Sequence, residues 1–288
     1  MRNFSKKAMV LLLALVMVFA LTACGGGNES GGNEGGNAGT EPSGDGSLQA
    51  VLDRGKLRIG AEGNWAPYVY NDEKGDLVGF EVEMAAEIAK RLGVEVEETV
   101  SDSWDGVLAG LEADRYDVVI CGAGPTPERK ETYEVASPYG EQLIALVVAA
   151  DNDEIKDWAD IKGKVSANSL SSSSGNIARS YGAELVEASL EEAMMLIRDK
   201  RADCQVNDAA SINAYIKANP DCGVKIACYY KPENAYETQS APIIKKGNVE
   251  LCNAIDKAVK DIIADGTAKK LCAKYFGEDF AENVTLYQ

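Results

Sequence analysis

Several side chains able to do chemistry stand where a short apolar run gives way to a loop or a helix. Glu62 follows the run "KLRIGA" and has Trp65 three residues further on. Trp104 follows "VEVEETV", Arg129 follows "DVVIC" and Asp208 ends "DCQVND". Ser172 and Ser173 lie in the four-serine run after "KVSAN". An arginine beside a helix start can hold an anion, and hydroxyls with free helix-terminal amides can add to it. An aspartate at a helix start can take a cation, and indole faces suit an aliphatic stem, a ring or a cation.

Each has a plainer reading. Trp65 and Trp104 are equally good as core filling, Arg129 as a solvated surface charge, and Asp208 and the serines as helix N-caps. The stretch "VVICGAGPTPERKE" also invites a phosphate loop, because Gly122 and Gly124 follow a strand. However, it lacks the third glycine of Gly-x-Gly-x-x-Gly and the lysine of Gly-x-x-x-x-Gly-Lys. Pro125 further removes an amide that a phosphate cradle would use. "TPER" reads instead as a helix start, with Thr126 as N-cap and Pro127 at the first position. Arg129 then sits in the first turn, against the helix dipole, a local conflict that hints at function. Taken together, the set complements a zwitterion that carries a side chain.

The elements that must position these residues alternate. "KLRIGA", "VEVEETV" and "DVVIC" read as strands around helices at 81–92 and 104–113. "KVSAN", "AELVEA" and "DCQVN" repeat the pattern around helices at 175–181, 190–200 and 209–218. Such alternation predicts parallel sheets with helices on their faces, and two such units in sequence suggest two α/β lobes. In open sheets of this kind ligands bind beyond the carboxyl ends of the strands, where the residues above lie. Two amphipathic helices, split at Gly266, close the chain.

Before the fold comes a leader. Arg2, Lys6 and Lys7 precede an uncharged apolar run of 14 residues, Ala8–Leu21, and "LTAC" follows. A membrane span needs about 20 residues, so residues 1–23 read as a secretory signal. "LTAC" resembles the bacterial lipobox, in which the cysteine, here Cys24, is diacylated; a plain cleavage site is the alternative. Residues 25–46 hold ten glycines and almost nothing apolar. They read as a flexible tether spanning roughly 25 Å.

Removing Arg2, Lys6 and Lys7 from 29 basic residues leaves 26 against 46 acidic, a formal charge of −20. That balance argues against nucleic-acid partners. The chain has no histidine and no Cys-x-x-Cys, so neither metal nor cofactor is expected. Six cysteines follow Cys24. Cys121, Cys204, Cys252 and Cys272 fall in apolar runs as small hydrophobes, and Cys222 with Cys228 is the best-placed pair for a disulfide.

"GDLVGFEVEMAAEIAKRLG" resembles the signature of the polar amino-acid family of bacterial extracellular solute-binding proteins. The likeness continues through "NWAPYVY", "WDGVLAGLEADRYDVVI", "TPERKETYEVASPY", "RADCQVNDAA" and "ADGTAKKLCAKYFG". It implies an α/β periplasmic-binding-protein clamshell, each lobe a mixed, mostly parallel sheet flanked by helices, with two hinge crossings near 141–145 and 238–242. Lobe 1 is then residues 47–142 plus 241–288, and lobe 2 residues 143–240. It also implies roles for Arg129 on a ligand α-carboxylate, Ser172 and Ser173 beside it, and Asp208 on the α-ammonium. Trp65 and Trp104 flank the side chain and Glu62 reaches its far end.

Gly122 and Gly124 would contribute backbone groups. Gly124 stands where the family usually has Ser or Thr, so a hydroxyl contact is missing. The implied protein is a monomeric lipoprotein, not an enzyme. It would hand a basic or polar amino acid to an ABC permease from the outer face of the cytoplasmic membrane, or in the periplasm where an outer membrane exists. The alternatives are a cyclohexadienyl or arogenate dehydratase-like enzyme on the same fold, and a sensor domain for the same ligand.

Overall fold

The computed structural model describes residues 44–287. The leader, Cys24 and the tether through residue 43 lie outside the described residues. Among the described residues no helix is long and apolar enough to cross a membrane.

The alternation seen in the sequence becomes two five-stranded sheets. A first helix, α1 (Ser47–Arg54), leads into β1 (Lys56–Glu62). Then come α2 (Phe80–Leu92), β2 (Glu95–Ser101), α3 (Trp104–Glu112), β3 (Val118–Val119), α4 (Pro127–Thr132) and β4 (Tyr133–Val135). The chain crosses through β5 (Gly140–Glu141) into β6 (Ile144–Ala149), followed by β7 (Val165–Ala167), α5 (Ser173–Ser180), β8 (Glu184–Val186) and α6 (Leu190–Arg198). After β9 (Cys204–Asp208), α7 (Ala209–Ala218) and β10 (Val224–Tyr229) it returns through β11 (Gln239–Ser240) to β12 (Ile243–Lys245). Helices α8 (Val249–Ala264), α9 (Thr267–Phe276) and α10 (Glu278–Asn283) follow. A small three-stranded sheet carries Asn64–Trp65, Val69–Asn71 and Leu77–Val78.

The first large sheet has the order β2-β1-β3-β12-β4 and the second β8-β7-β9-β6-β10. This is an α/β clamshell of two lobes. The sheets are less parallel than the alternation predicts, since two of the four pairings in each are antiparallel. The cause is the crossing. β5 and β11 pair as an antiparallel ribbon, Glu141 with Gln239, and each hands the chain directly to a sheet. β6 and β12 therefore arrive without a helical crossover and insert antiparallel between two strands of their sheet.

Apolar clusters lie on both faces of both sheets. In the first, Leu57 and Ile59 of β1 pack with Met84 and Ile88 of α2 and Ile255 and Val259 of α8. On its other face Trp104, Val107 and Leu111 of α3 meet Val119 and Ile243. In the second sheet, Leu146, Cys204 and Val206 pack with Ile177 and Ala178 of α5. Val147 and Ala167 face Ala193, Met194 and Ile197 of α6.

"DVVIC" yields only a two-residue strand, because the chain turns at Gly122, whose φ is +61°. The six described cysteines are all free. Cys222 packs on the α6 side of the second sheet and Cys228 on the α5 side, so the sheet separates them. Cys121, Cys204, Cys252 and Cys272 are buried, as small hydrophobes would be.

Candidate functional site

The strand exits of the two sheets meet around one cavity of about 710 Å³, its open mouth included. Glu62, Trp65, Trp104, Gly122 and Arg129 line it from one side, and Ser172 and Ser173 from the other. Two residues singled out in the sequence, Gly124 and Asp208, do not reach the wall.

Arg129 is held where the "TPER" helix start puts it. The Thr126 hydroxyl accepts the Arg129 amide at 3.2 Å, and Pro127 occupies the first turn. Arg129 is 9 % exposed, and its guanidinium lies over the Trp104 ring, 5.4 Å from the centroid. It donates to the Gly124 carbonyl at 2.8 Å, the Ser171 carbonyl at 3.3 Å and Ser173 Oγ at 3.4 Å. Every acceptor is neutral, and Arg129 forms no ion pair among the described residues. Burial lowers its pKa from the ordinary arginine value. A buried cation without a counterion is an anion site.

The serine run supplies the other half. Ser172 caps α5 by accepting the Gly175 amide at 3.0 Å, so the first amides of α5 open beside Arg129. Gly124 is pinned between the two. A Cβ built on it would lie 2.7 Å from Ser173 Oγ and 3.3 Å from the Tyr236 carbonyl. The space for the family's usual hydroxyl is thus filled here from the opposite side by Ser173.

Trp65 is fixed by stacking on Tyr68, with ring centroids 4.3 Å apart. Its indole lies against Gly122, where a Cβ would meet the ring at 2.3 Å. Gly122 has a positive φ as well, so both the turn and the close approach require glycine. The Gly122 amide donates to Glu81 Oε1 at 2.8 Å, and the Tyr139 hydroxyl donates to the same oxygen at 2.6 Å. Glu81 is fully buried, with Oε2 unpartnered among the described residues, and burial pushes its pKa up to about 7.

Glu62 is half-buried at the end of β1. Burial, then the charges of Glu187 and Asp105, push its pKa up to about 7. Asp105 in turn accepts the Ser171 hydroxyl, joining α3 to the loop before α5.

Asp208 lies behind the wall. Its Oδ1 accepts the amides of Ala210 at 2.8 Å and Ser211 at 3.1 Å, capping α7, and its Oδ2 accepts Leu143 N at 3.1 Å. It is 1 % exposed, and burial pushes its pKa up to about 6 against those bonds. The Tyr68 hydroxyl lies beside it without a hydrogen bond of ordinary geometry. Gln205, Asn207, Asn168 and Gln142, which sequence reasoning passed over, do line the cavity. The available signal was strand parity, since Gln205 and Asn207 lie on the same face of β9.

An α/β clamshell with a buried, uncompensated cation between its strand exits defines a solute-binding protein. The chain belongs to the bacterial extracellular solute-binding proteins, family 3, whose profile matches residues 57–278. It is 36 % identical over 282 residues to the L-cystine-binding protein TcyA of Bacillus subtilis, covering 96 % of this chain and 100 % of that one. An ancestral arginine-binding protein bound to arginine superposes with a TM-score of 0.69 at 38 % identity, over 78 % of this chain and 99 % of that one. The ancestral amino acid-binding protein AncCDT-1, a precursor of cyclohexadienyl dehydratase, does so at 0.67 and 30 %, over 80 % and 99 %.

Proposed function

We propose that this protein captures a basic or polar amino acid outside the cytoplasmic membrane and delivers it to an ABC importer, tethered as a monomer through a lipidated Cys24. The lobes are residues 47–142 plus 241–288, and 143–240. The observation that carries the reading is Arg129, buried, unpaired and beside the N-terminus of α5. It takes the α-carboxylate, with Ser172 and Ser173 helping, while Trp65 and Trp104 flank the side chain. Asp208 serves the α-ammonium from behind the wall, with its partly used Oδ2 as the acceptor. A ligand touching both lobes favours the closed form. The similar proteins named above are a cystine binder and arginine or amino-acid binders, which supports the class and leaves both side chains in play.

The test is a thermal-shift screen of the mature protein against the twenty amino acids and cystine. At least one is expected to raise the melting temperature by mass action. A flat screen would sink the reading. No turnover of prephenate or arogenate is expected, and measurable turnover would move the protein to the dehydratases.

A further inference from the structure

Gln205 has no structural reason to be polar. It sits inside β9, 2 % exposed, and its Oε1 is buried without a hydrogen-bond donor among the described residues. Its register partner on β6 is Val147, which packs with Ala193 and Met194 of α6. Gln205 therefore projects on the face that α6 covers, where its neighbours are aliphatic. An apolar side chain would fill that place at no cost, whereas a buried acceptor without a donor destabilises the fold.

The unpaired oxygen belongs to a cavity residue. Gln205 lines the same space as Ser189 and Leu190, at the start of α6, and as Glu62 on the facing wall. Glu187 and Asp105 add negative charge around Glu62. Among the described residues Arg129 is the single cation lining the cavity, at the α5 side. The α6 corner thus offers acceptors and negative charge, and none of the described residues lining it is basic.

We propose that Gln205 is a specificity-determining contact: with Glu62 it reads an N–H donor at the far end of the ligand side chain, whether guanidinium, ammonium or carboxamide. This rests on the amino-acid reading above and narrows it. An aliphatic side chain would leave Oε1 unpaired, and an acidic one would meet Glu62, Glu187 and Asp105.

The test is titration calorimetry of the mature wild type, Gln205→Met and Gln205→Glu with arginine, lysine, glutamine, cystine, norleucine and glutamate. Methionine keeps the length and removes the acceptor, while glutamate keeps an acceptor. The best wild-type ligand should carry a distal N–H. Gln205→Met should weaken it about tenfold or more and change norleucine by less than about threefold, with Gln205→Glu close to wild type. The apo Gln205→Met protein should melt no lower than wild type, because an unpaired buried oxygen has gone.

A preference for norleucine or glutamate, or an equal loss for ligands with and without the donor, would overturn the proposal. So would an apo Gln205→Met protein that is destabilised or fails to fold, since Gln205 would then be structural. If the wild type binds none of these ligands, the amino-acid reading itself fails. If it binds them and Gln205→Met leaves the preference unchanged, only the role of Gln205 fails.

Discussion

The Arg129 guanidinium lies over the Trp104 ring at 5.4 Å, and every acceptor it touches is a neutral carbonyl or hydroxyl. A buried charge held this way is only partly compensated, and a carboxylate would complete it. The apo protein should therefore tolerate Arg129→Ala, with a change in stability within about 1 kcal/mol. Ligand affinity should fall by about a hundredfold or more, since two charge-assisted bonds go together. Arg129→Lys should recover little, because an ammonium cannot present the planar fork. Calorimetry beside thermal melting separates the two effects. Wild-type affinity in Arg129→Ala would remove Arg129 from the site.

Gly124 and Ser173 compete for one volume. The Cβ of any residue at 124 would lie 2.7 Å from Ser173 Oγ, although that hydroxyl can swing away. Gly124→Ser should cost affinity by moving Ser173 off Arg129, about fivefold to tenfold. Combining it with Ser173→Gly should recover most of the loss, giving a clear coupling energy in a double-mutant cycle. Strictly additive losses would show that the two positions do not share the space.

The sequence carried the site's skeleton because strand exits are a topological feature, and topology follows from periodicity. Lys56–Glu62, Glu95–Ser101 and Cys204–Asp208 each ended within a residue of the expected point, which set the chemistry of the exits beside one another. What was not legible was the direction of side chains near those exits. Asp208 reads equally as ligand contact or N-cap; the N-cap is formed, and it draws the carboxyl behind the wall.

Gln205 was hidden because Asp203, Gln205 and Asn207 alternate with Cys204 and Val206 as on any half-buried strand, which does not say what the polar face meets. Only its register against Val147 sets it on the α6 face beside the cavity. Gly124 was visible as a departure, but its reason, Ser173, comes from a helix far along the chain, in the other half of the site. The ribbon that makes β6 and β12 antiparallel has no sequence period of its own.

Glu81 binds the Gly122 turn to Tyr139 at the entrance to the crossing ribbon, and burial pushes its pKa up to about 7. An unfolded carboxyl of this type titrates at about 4.3. Between these values the folded chain keeps a proton that the unfolded chain has lost. This contribution to stability is complete below the unfolded value and is lost as pH rises through about 7. Glu81→Gln keeps an acceptor for both donors and removes the titration. From pH 5 to 8 the wild type should lose stability relative to Glu81→Gln by roughly 1–3 kcal/mol. Parallel curves in denaturant unfolding would mean that Glu81 is not the group responsible.

Glu62 makes ligand charge readable through pH. Burial and the charges of Glu187 and Asp105 push its pKa up to about 7, so near neutrality it is only partly ionised. A cationic side chain beside it would favour the carboxylate, lower that pKa and release a proton on binding. Affinity for arginine or lysine should therefore rise from pH 6 to about 7.5 and level off above. Affinity for a neutral carboxamide should stay nearly flat. Calorimetry in buffers of different ionisation enthalpy counts the proton directly, and Glu62→Gln should abolish both the release and the slope. If the preferred ligand is cationic and no proton is released, the far end of its side chain does not lie against Glu62.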